Sequence, residues 1–408
     1  MRILFCSRRF FPAISGMSVY AANLLHELVG AGHDVTMVSQ YRGDAAGMRI
    51  YGGGPPPEVP GVRVLGRRSV GEETVPADFE RDVADMLATI EAEHARAPFD
   101  ILHAQYGYPT GWTVLLAAQR LGIPTVVSIQ GGDGHWVGSC CETHRHAMLR
   151  VIEHADALLI GCESFAAEVV ERLQVPRQRF TIVPGAVDVT RFRPAQPPGT
   201  AANPPRLLYH GRVDRRKGVL DFLAALRFLR DDAVPFSAVI SGIGPDHDAA
   251  RALAGELGLD VRFTGHAEYA AAPAVYAMGD IFVSPTYAEG FSNTILEAMA
   301  SGLPCLSCHA VGVMDCLRDG ENGLLVQPGD VPAQAAALRR LISDGALRTR
   351  LAEAALEECR RTYSWSAVGG QIMEIYASLR GTTPRAASMD TALPQDDSCR
   401  FLSAPALL

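Results

Sequence analysis

A short apolar run rich in β-branched residues, then a Gly/Pro or polar turn, then an amphipathic helical stretch: this phrase repeats through most of the chain. Little else constrains the fold as strongly. The runs Ile3–Cys6, Val35–Ser39, Val62–Leu65, Ile101–Ala104, Thr125–Ile129, Ala157–Gly161 and Phe180–Val183 read as strands. Helical stretches such as Val19–Val29 and Phe79–His94 lie between them, with apolar residues at three- and four-residue spacing. Alternation of this kind predicts an α/β domain with a doubly wound parallel sheet, because parallel strands need crossover helices and those helices cover both faces.

The phrase is interrupted once. Arg193 to Pro205 reads RPAQPPGTAANPP, five prolines in thirteen residues with almost nothing apolar to bury, which predicts a linker. It then restarts with strands at Leu207–His210, Ala238–Ser241, Val261–Thr264, Ile281–Ser284, Cys305–Ser307 and Gly323–Val326, and helices such as Gly218–Leu229, Thr294–Ala300 and Ala333–Ile342. The expected organisation is a Rossmann-like domain over residues 1–192, the linker 193–205, and a second such domain over 206–365. A helix at 366–380 would pack back on the first domain, and a polar tail over 381–408 would be mobile.

With 408 residues, each half is long enough for its own core. A hydrophobic fraction of 48% with 20% charged residues excludes a disordered chain. The net charge of −8 argues against a nucleic-acid partner. Every apolar stretch is broken before the roughly 18 residues of a membrane span, and the start is too short for a signal peptide, so a cytoplasmic location is expected. Nine scattered cysteines fit reduced thiols better than a disulfide framework.

Open parallel sheets bind ligands outside the carboxyl ends of their strands, and two such domains are expected to face one another across a cleft. Two segments after predicted strands carry suitable chemistry. In Tyr209-His-Gly-Arg212-Val-Asp-Arg-Arg-Lys217-Gly218, four cations precede a helix start, where free N–H groups and the dipole favour an anion; together they would hold a diphosphate. A solvated basic turn would look the same. In Tyr287-Ala-Glu289-Gly290-Phe291-Ser292-Asn-Thr-Ile-Leu-Glu297, one carboxylate lies in a loop and the other two turns along a helix, where each could grip sugar or ribose hydroxyls. Glu297 alone would equally suit a solvated helix face.

Glu289-Gly-Phe with Glu297 eight positions on, followed by Ala-Met-Ala-Ser-Gly-Leu-Pro304, resembles the paired-glutamate motif of the retaining glycosyltransferases of family 4, which have the two-domain GT-B fold. Gly16, Val183-Pro-Gly-Ala-Val-Asp188, Gly211-Arg212 with Lys217-Gly218, Gly242-Ile-Gly-Pro245 and Asp319-Gly-Glu-Asn-Gly-Leu-Leu-Val326 are similar in order and spacing. The resemblance implies that Arg212 and Lys217 neutralise the diphosphate of a nucleotide-sugar in place of a metal ion, with Gly16 and Gly242 beside it. It implies that Glu297 holds the ribose, and that Glu289, Gly290, Phe291 and Ser292 hold the transferred sugar. Arg212, Lys217 and Glu289 are the catalytic candidates; Tyr106, Gln130, Asp133 and Trp136 are the acceptor candidates. No cofactor and no metal ligand are assigned.

Three positions depart from the family pattern: Gln130 where histidine is usual, Gly185 where asparagine is usual, and Asp315 where glutamate is common. Gln130 cannot act as a general base, though it can hydrogen-bond a sugar. Rival motifs are weaker. Cys305-Leu-Ser-Cys308-His309 has haem-attachment spacing but no export signal, and Asp246-His-Asp248 suits helix capping better than metal binding. The stretch His135-Trp-Val-Gly-Ser-Cys140-Cys141-Glu-Thr-His144-Arg-His146 is dense in potential ligands; an acceptor-facing loop with Trp136 stacked on a sugar is the preferred reading over a metal site.

The expected activity is transfer of a sugar from a nucleotide-sugar to a hydroxyl of a saccharide, glycolipid or small molecule. A nucleotide-sugar epimerase or phosphorylase on the same scaffold, or a non-catalytic nucleotide-sugar-binding protein, stands as the alternative. Arg8-Arg9-Phe10-Phe11 and Tyr106-Gly-Tyr108 mix cations with aromatics on first-domain loops, which suits a soluble sugar or a lipid-linked acceptor in peripheral contact with the inner membrane face.

Overall fold

The computed structural model describes residues 1–43, 52–73, 78–131, 138, 140–396, 398 and 399. The described residues divide into two compact units, the first holding those up to Pro184 and those from Val368 onward, the second Gly185–Ala367.

Among the described residues the first unit has seven strands: β1 (Arg2–Ser7), β2 (Asp34–Tyr41), β3 (Val62–Arg68), β4 (Ile101–Gln105), β5 (Thr125–Ile129), β6 (Ala157–Ile160) and β7 (Phe180–Ile182). Their order in the sheet is β3-β2-β1-β4-β5-β6-β7, all neighbours parallel. The second unit has β8 (Arg206–His210), β9 (Ser237–Ser241), β10 (Val261–Gly265), β11 (Ile281–Ser284), β12 (Cys305–Cys308) and β13 (Leu324–Val326), ordered β10-β9-β8-β11-β12-β13 and likewise parallel.

Along β8 and β11, Leu208 and Phe282 belong to one buried apolar cluster, while Leu207, Tyr209, Ile281 and Val283 belong to another. Since successive strand side chains point to opposite faces, this alternation means that both faces of the sheet are covered. The continuous apolar runs in the sequence follow from that double burial. In both sheets the order reverses beside the first strand, between β1 and β4 and between β8 and β11. Loops diverge there and leave room for a ligand.

Three expectations about chain organisation are corrected. The division between units falls at Pro184/Gly185 rather than 192/193. The proline-rich stretch 193–205 is not a free linker: Gly199 N–H donates to the Gly302 carbonyl at 3.3 Å, Ala202 N–H donates to Asp280 Oδ2 at 3.1 Å, and Arg348 Nε donates to the Gly199 carbonyl at 3.2 Å. Prolines removed the apolar signal, but the remaining backbone groups still found partners in the second unit. The tail is not loose over its described part. Ala386 and Met389 are buried, Gln119 Nε2 donates to the Met389 carbonyl at 2.7 Å, and Arg385 N–H donates to Asp156 Oδ1 at 2.8 Å. The helix Trp365–Leu379 starts in the second unit and from Val368 belongs to the first, where Gln371 Nε2 donates to the Ile182 carbonyl at 3.0 Å. Among the described residues no helix is long and apolar enough to cross a membrane.

Candidate active site

In the second unit, the turn after β8 carries the cations. Gly211 N–H donates to the Ser241 carbonyl, and the Tyr209 hydroxyl donates to the Arg212 carbonyl at 2.7 Å, which fixes the turn. Two glycines are required here. Gly218 has φ 71°, and a Cβ on it would lie 2.0 Å from the Pro285 carbonyl oxygen; Gly242 has φ 131°, and its Cβ would lie 1.9 Å from the Gly211 oxygen. The loops after β8, β9 and β11 therefore touch backbone to backbone, and the helix Val219–Asp231 begins at that junction.

The four cations divide their partners unequally. Arg215 Nη2 and Nε bond Asp246 Oδ1 at 2.7 and 3.0 Å, and Arg216 Nη2 bonds Asp214 Oδ2 at 2.6 Å. Lys217 Nζ lies 2.7 Å from Glu289 Oε2 and donates to the Ala288 carbonyl at 3.1 Å. Arg212, with its side chain 49% exposed, approaches Asp214 Oδ2 with its Nε at 3.4 Å. The side chains of Lys217 and Glu289 remain 31% and 19% exposed. These two, from the loops after β8 and β11, straddle the point where the strand order reverses.

Glu297 lies on the helix Asn293–Ala300 and is 8% exposed, so it is not on a solvated face. Burial pushes its carboxyl up to about 7, and the Tyr276 hydroxyl donates to its Oε2 at 2.7 Å. Sequence reasoning missed Tyr276, since nothing in a residue twenty-one positions upstream marks it as the partner. It also missed His210, whose ring meets Tyr276 edge-on at 5.3 Å and whose imidazole is driven down to about 4 by burial. Phe291 packs on Tyr363 at 5.6 Å, and a Cβ on Gly185 would come 2.6 Å from its ring, which gives a steric reason for glycine there. Ser292 is buried at the start of the same helix, and Glu289 N–H donates to the Val311 carbonyl at 2.9 Å.

Asp246 is corrected. It stands at the start of the helix His247–Glu256 but its side chain caps no N–H of that helix; it accepts from the backbone N–H and guanidinium of Arg215, whose hydrogen bonds hold the carboxyl below its ordinary value. An arginine fork on this carboxylate leaves it poorly suited to a metal. Cys305 and Cys308 are buried in β12, as small strand residues.

In the first unit, Gly16, Tyr106 and Gln130 follow β1, β4 and β5, three adjacent strands at the reversal point. Gly16 opens the helix Gly16–Gly30, with Ser15 Oγ accepting from Ser18 N–H at 3.2 Å. Tyr106 has φ 82°, a strained value for a non-glycine residue, held by its N–H donating to the Ser128 carbonyl at 3.0 Å. Asp133 and Trp136 lie outside the described residues. Of the aromatic and cationic residues expected at the surface in Arg8–Phe11 and Tyr106–Tyr108, Arg8, Phe10 and Tyr108 are instead buried, at 2%, 4% and 4% exposed, while Arg9, Phe11 and Tyr106 are half-buried. Arg8 forms a buried ion pair with Glu72, which Arg9 and Arg42 also approach at 3.6 Å.

The family model described as "Glycosyl transferase 4-like domain" matches residues 15–186, and "Glycosyl transferases group 1" matches 192–358. Glycogen synthase from Mycobacterium tuberculosis is 28% identical over 429 aligned positions, covering 97% of this chain and all of the relative. D-inositol 3-phosphate glycosyltransferase from Nocardioides sp. is 30% identical over 332, covering 74% and 71%. Among solved structures, sucrose-phosphate synthase from Thermosynechococcus elongatus superposes with a TM-score of 0.76 at 22% identity, covering 93% of this chain and 98% of that one. Anabaena HepE in complex with UDP-glucose gives 0.71 at 18%, covering 93% and 100%. Two parallel-sheet domains of the GT-B kind, the ordered glycine, lysine and glutamate motifs and these matches together place the chain in the family 4 type glycosyltransferases, enzymes of sugar transfer.

Proposed function

We propose that the chain is a retaining, metal-independent glycosyltransferase that moves a sugar from a nucleotide diphosphate donor to a hydroxyl acceptor. The observation that carries this reading is the Lys217–Glu289 pair at 2.7 Å, partly exposed at the reversal point of the second sheet with Arg212 on the same loop. Lys217 and Arg212 supply the countercharge for a diphosphate. Glu297, buried against Tyr276, is suited to accept hydroxyl protons from a ribose, and Glu289 from the transferred sugar. UDP-glucose in the related HepE structure supports a donor of this class.

In the reaction the bond from the anomeric carbon to the diphosphate oxygen breaks and its electron pair stays on the leaving group. Fixed cations lower the energy of that developing charge. The acceptor oxygen bonds to the anomeric carbon on the face the leaving group vacates, and its proton passes to a phosphate oxygen. Gln130 and Tyr106 in the first unit are the acceptor-binding residues of this reading. Relatives named for glycogen and for D-inositol 3-phosphate favour a carbohydrate or cyclitol hydroxyl.

Screening nucleotide-sugars for thermal stabilisation identifies the donor, because a ligand that binds only the folded state raises the melting temperature. Incubation of that donor with candidate acceptors then gives a glycoside of unchanged anomeric configuration, with or without excess EDTA. An inverted product, strict dependence on an added divalent ion, or an epimerised donor in the absence of acceptor would each overturn the proposal.

A further inference from the structure

Four soft ligand atoms converge in the first unit, beside the segment that follows β4. Cys140, Cys141 and His144 lie at the start of the helix Glu142–His154, and Cys399 arrives from the C-terminal segment 255 residues beyond His144. Their Sγ and Nδ1 atoms all lie within 4.8 Å of one another. Around zinc, with Zn–S of about 2.3 Å and Zn–N of about 2.0–2.1 Å, tetrahedral geometry sets S···S edges near 3.8 Å and S···N edges near 3.6 Å. Cys140 Sγ is 3.8 Å from Cys141 Sγ, and Cys399 Sγ is 3.6 Å from His144 Nδ1. The Cys140 Sγ to His144 Nδ1 separation of 2.8 Å is shorter, a thiol–imidazole contact that opens by about 0.8 Å to span such an edge.

The surroundings orient these atoms. The His144 ring packs on Tyr108 at 4.4 Å and on Phe79 at 6.1 Å between centroids. His144 N–H donates to Cys141 Sγ at 3.5 Å, the kind of contact that steadies a thiolate ligand, and a helix start favours the negative form. Thr143 Oγ1 donates to the Pro394 carbonyl at 2.7 Å and Glu142 N–H to Asp396 Oδ2 at 2.8 Å, which brings the segment carrying Cys399 to that helix turn.

We propose that Cys140, Cys141, His144 and Cys399 form a closed, four-coordinate Cys3His site for a zinc(II) ion that fastens the C-terminal segment to the first unit. Three thiols and an imidazole are a soft donor set without a carboxylate, which selects zinc over magnesium or calcium. With all four positions taken by protein there is none for a reacting group, so the ion is structural and the proposal stands apart from the transfer chemistry. From sequence an acceptor-facing loop is preferred here over a metal site, and Cys399, the ligand that completes the set, lies at the other end of the chain.

The test is metal analysis of the full chain purified under reducing conditions without chelator, with cobalt(II) substitution of the same protein. The expected result is about one zinc per chain, released on titration with an organomercurial, and a cobalt form with the intense visible bands and thiolate charge transfer of a tetrahedral site. Cys399→Ser should lower zinc retention at least tenfold, and stripping the ion from the intact chain should open the peptide bond after Arg385 to trypsin. No retained metal and no tetrahedral cobalt spectrum in the unaltered chain would overturn the proposal. So would peptide mapping that finds a disulfide among the three cysteines in protein isolated without reductant.

Discussion

Each sheet of this protein sends arginines into the loop after its first strand, and Arg8 and Arg212 meet opposite fates. After β1, Arg8 is enclosed with Glu72, the two side chains 1% and 4% exposed, its guanidinium 5.6 Å from the Phe79 ring. After β8, the side chains of Arg212, Arg215, Arg216 and Lys217 are 31–68% exposed although carboxylates stand beside them. The same residue types at equivalent places in the fold are thus a buried fastening in one unit and an anion-ready surface in the other. What separates them is the site of the partner carboxylate. Glu72 sits on the short helix Val70–Glu73 and closes over the arginine, whereas Glu289 lies on an open loop and meets Lys217 from one side.

The largest effect that sharpens this contrast is on stability. Arg8→Ala leaves the Glu72 carboxylate buried with its main partner gone, and should cost about 3–5 kcal/mol in chemical denaturation. Arg215→Ala, at an exposed pair, should cost less than about 1 kcal/mol. Equal losses would break the comparison. Next in size is the effect on turnover: Lys217→Ala should reduce kcat by about 10²–10³-fold while the melting curve stays native, the scale expected when one fixed charge-stabilising group is removed. Near-normal activity would remove the phosphate clamp.

A smaller effect is carried by Glu297. Its folded value of about 7 lies above its ordinary 4.5, so the folded protein keeps a proton that the unfolded chain releases. This contribution to stability is complete below pH 4.5 and declines as the pH rises toward 7. Glu297→Gln should flatten that decline in melts taken across the window; an unchanged slope would show that the carboxyl is ionised throughout.

The thirteen strands among the described residues were legible as apolar runs, with ends shifted by at most a residue or two except in β3, which runs on to Arg68; in the central strands double burial writes itself into consecutive residues, while the edge strands β3, β7 and β10 are only partly buried. The glycine turn at 218 and the cations before it were legible in the sequence, and Gly242 and Glu289 through the family resemblance; that Lys217 and Glu289 pair with each other was not. Relations across distance were not. Glu72 is 64 residues from the arginine it buries, Tyr276 is 21 from Glu297, and Cys399 is 255 from His144. In each case a local reading was sound chemistry for an exposed loop, and burial by a remote segment changed its meaning. Asp246 shows the same: helix capping was reasonable for the sequence, but an arginine 31 residues earlier had the stronger claim.

Binding of a nucleoside diphosphate, measured by titration calorimetry on the full chain and on Lys217→Ala, tests the central claim most directly. The account predicts saturable binding to the unaltered protein, at least tenfold weaker in the variant, with both melting alike in the absence of ligand. Equal affinity in the two proteins would mean that the exposed cations of the second unit do not hold the leaving group.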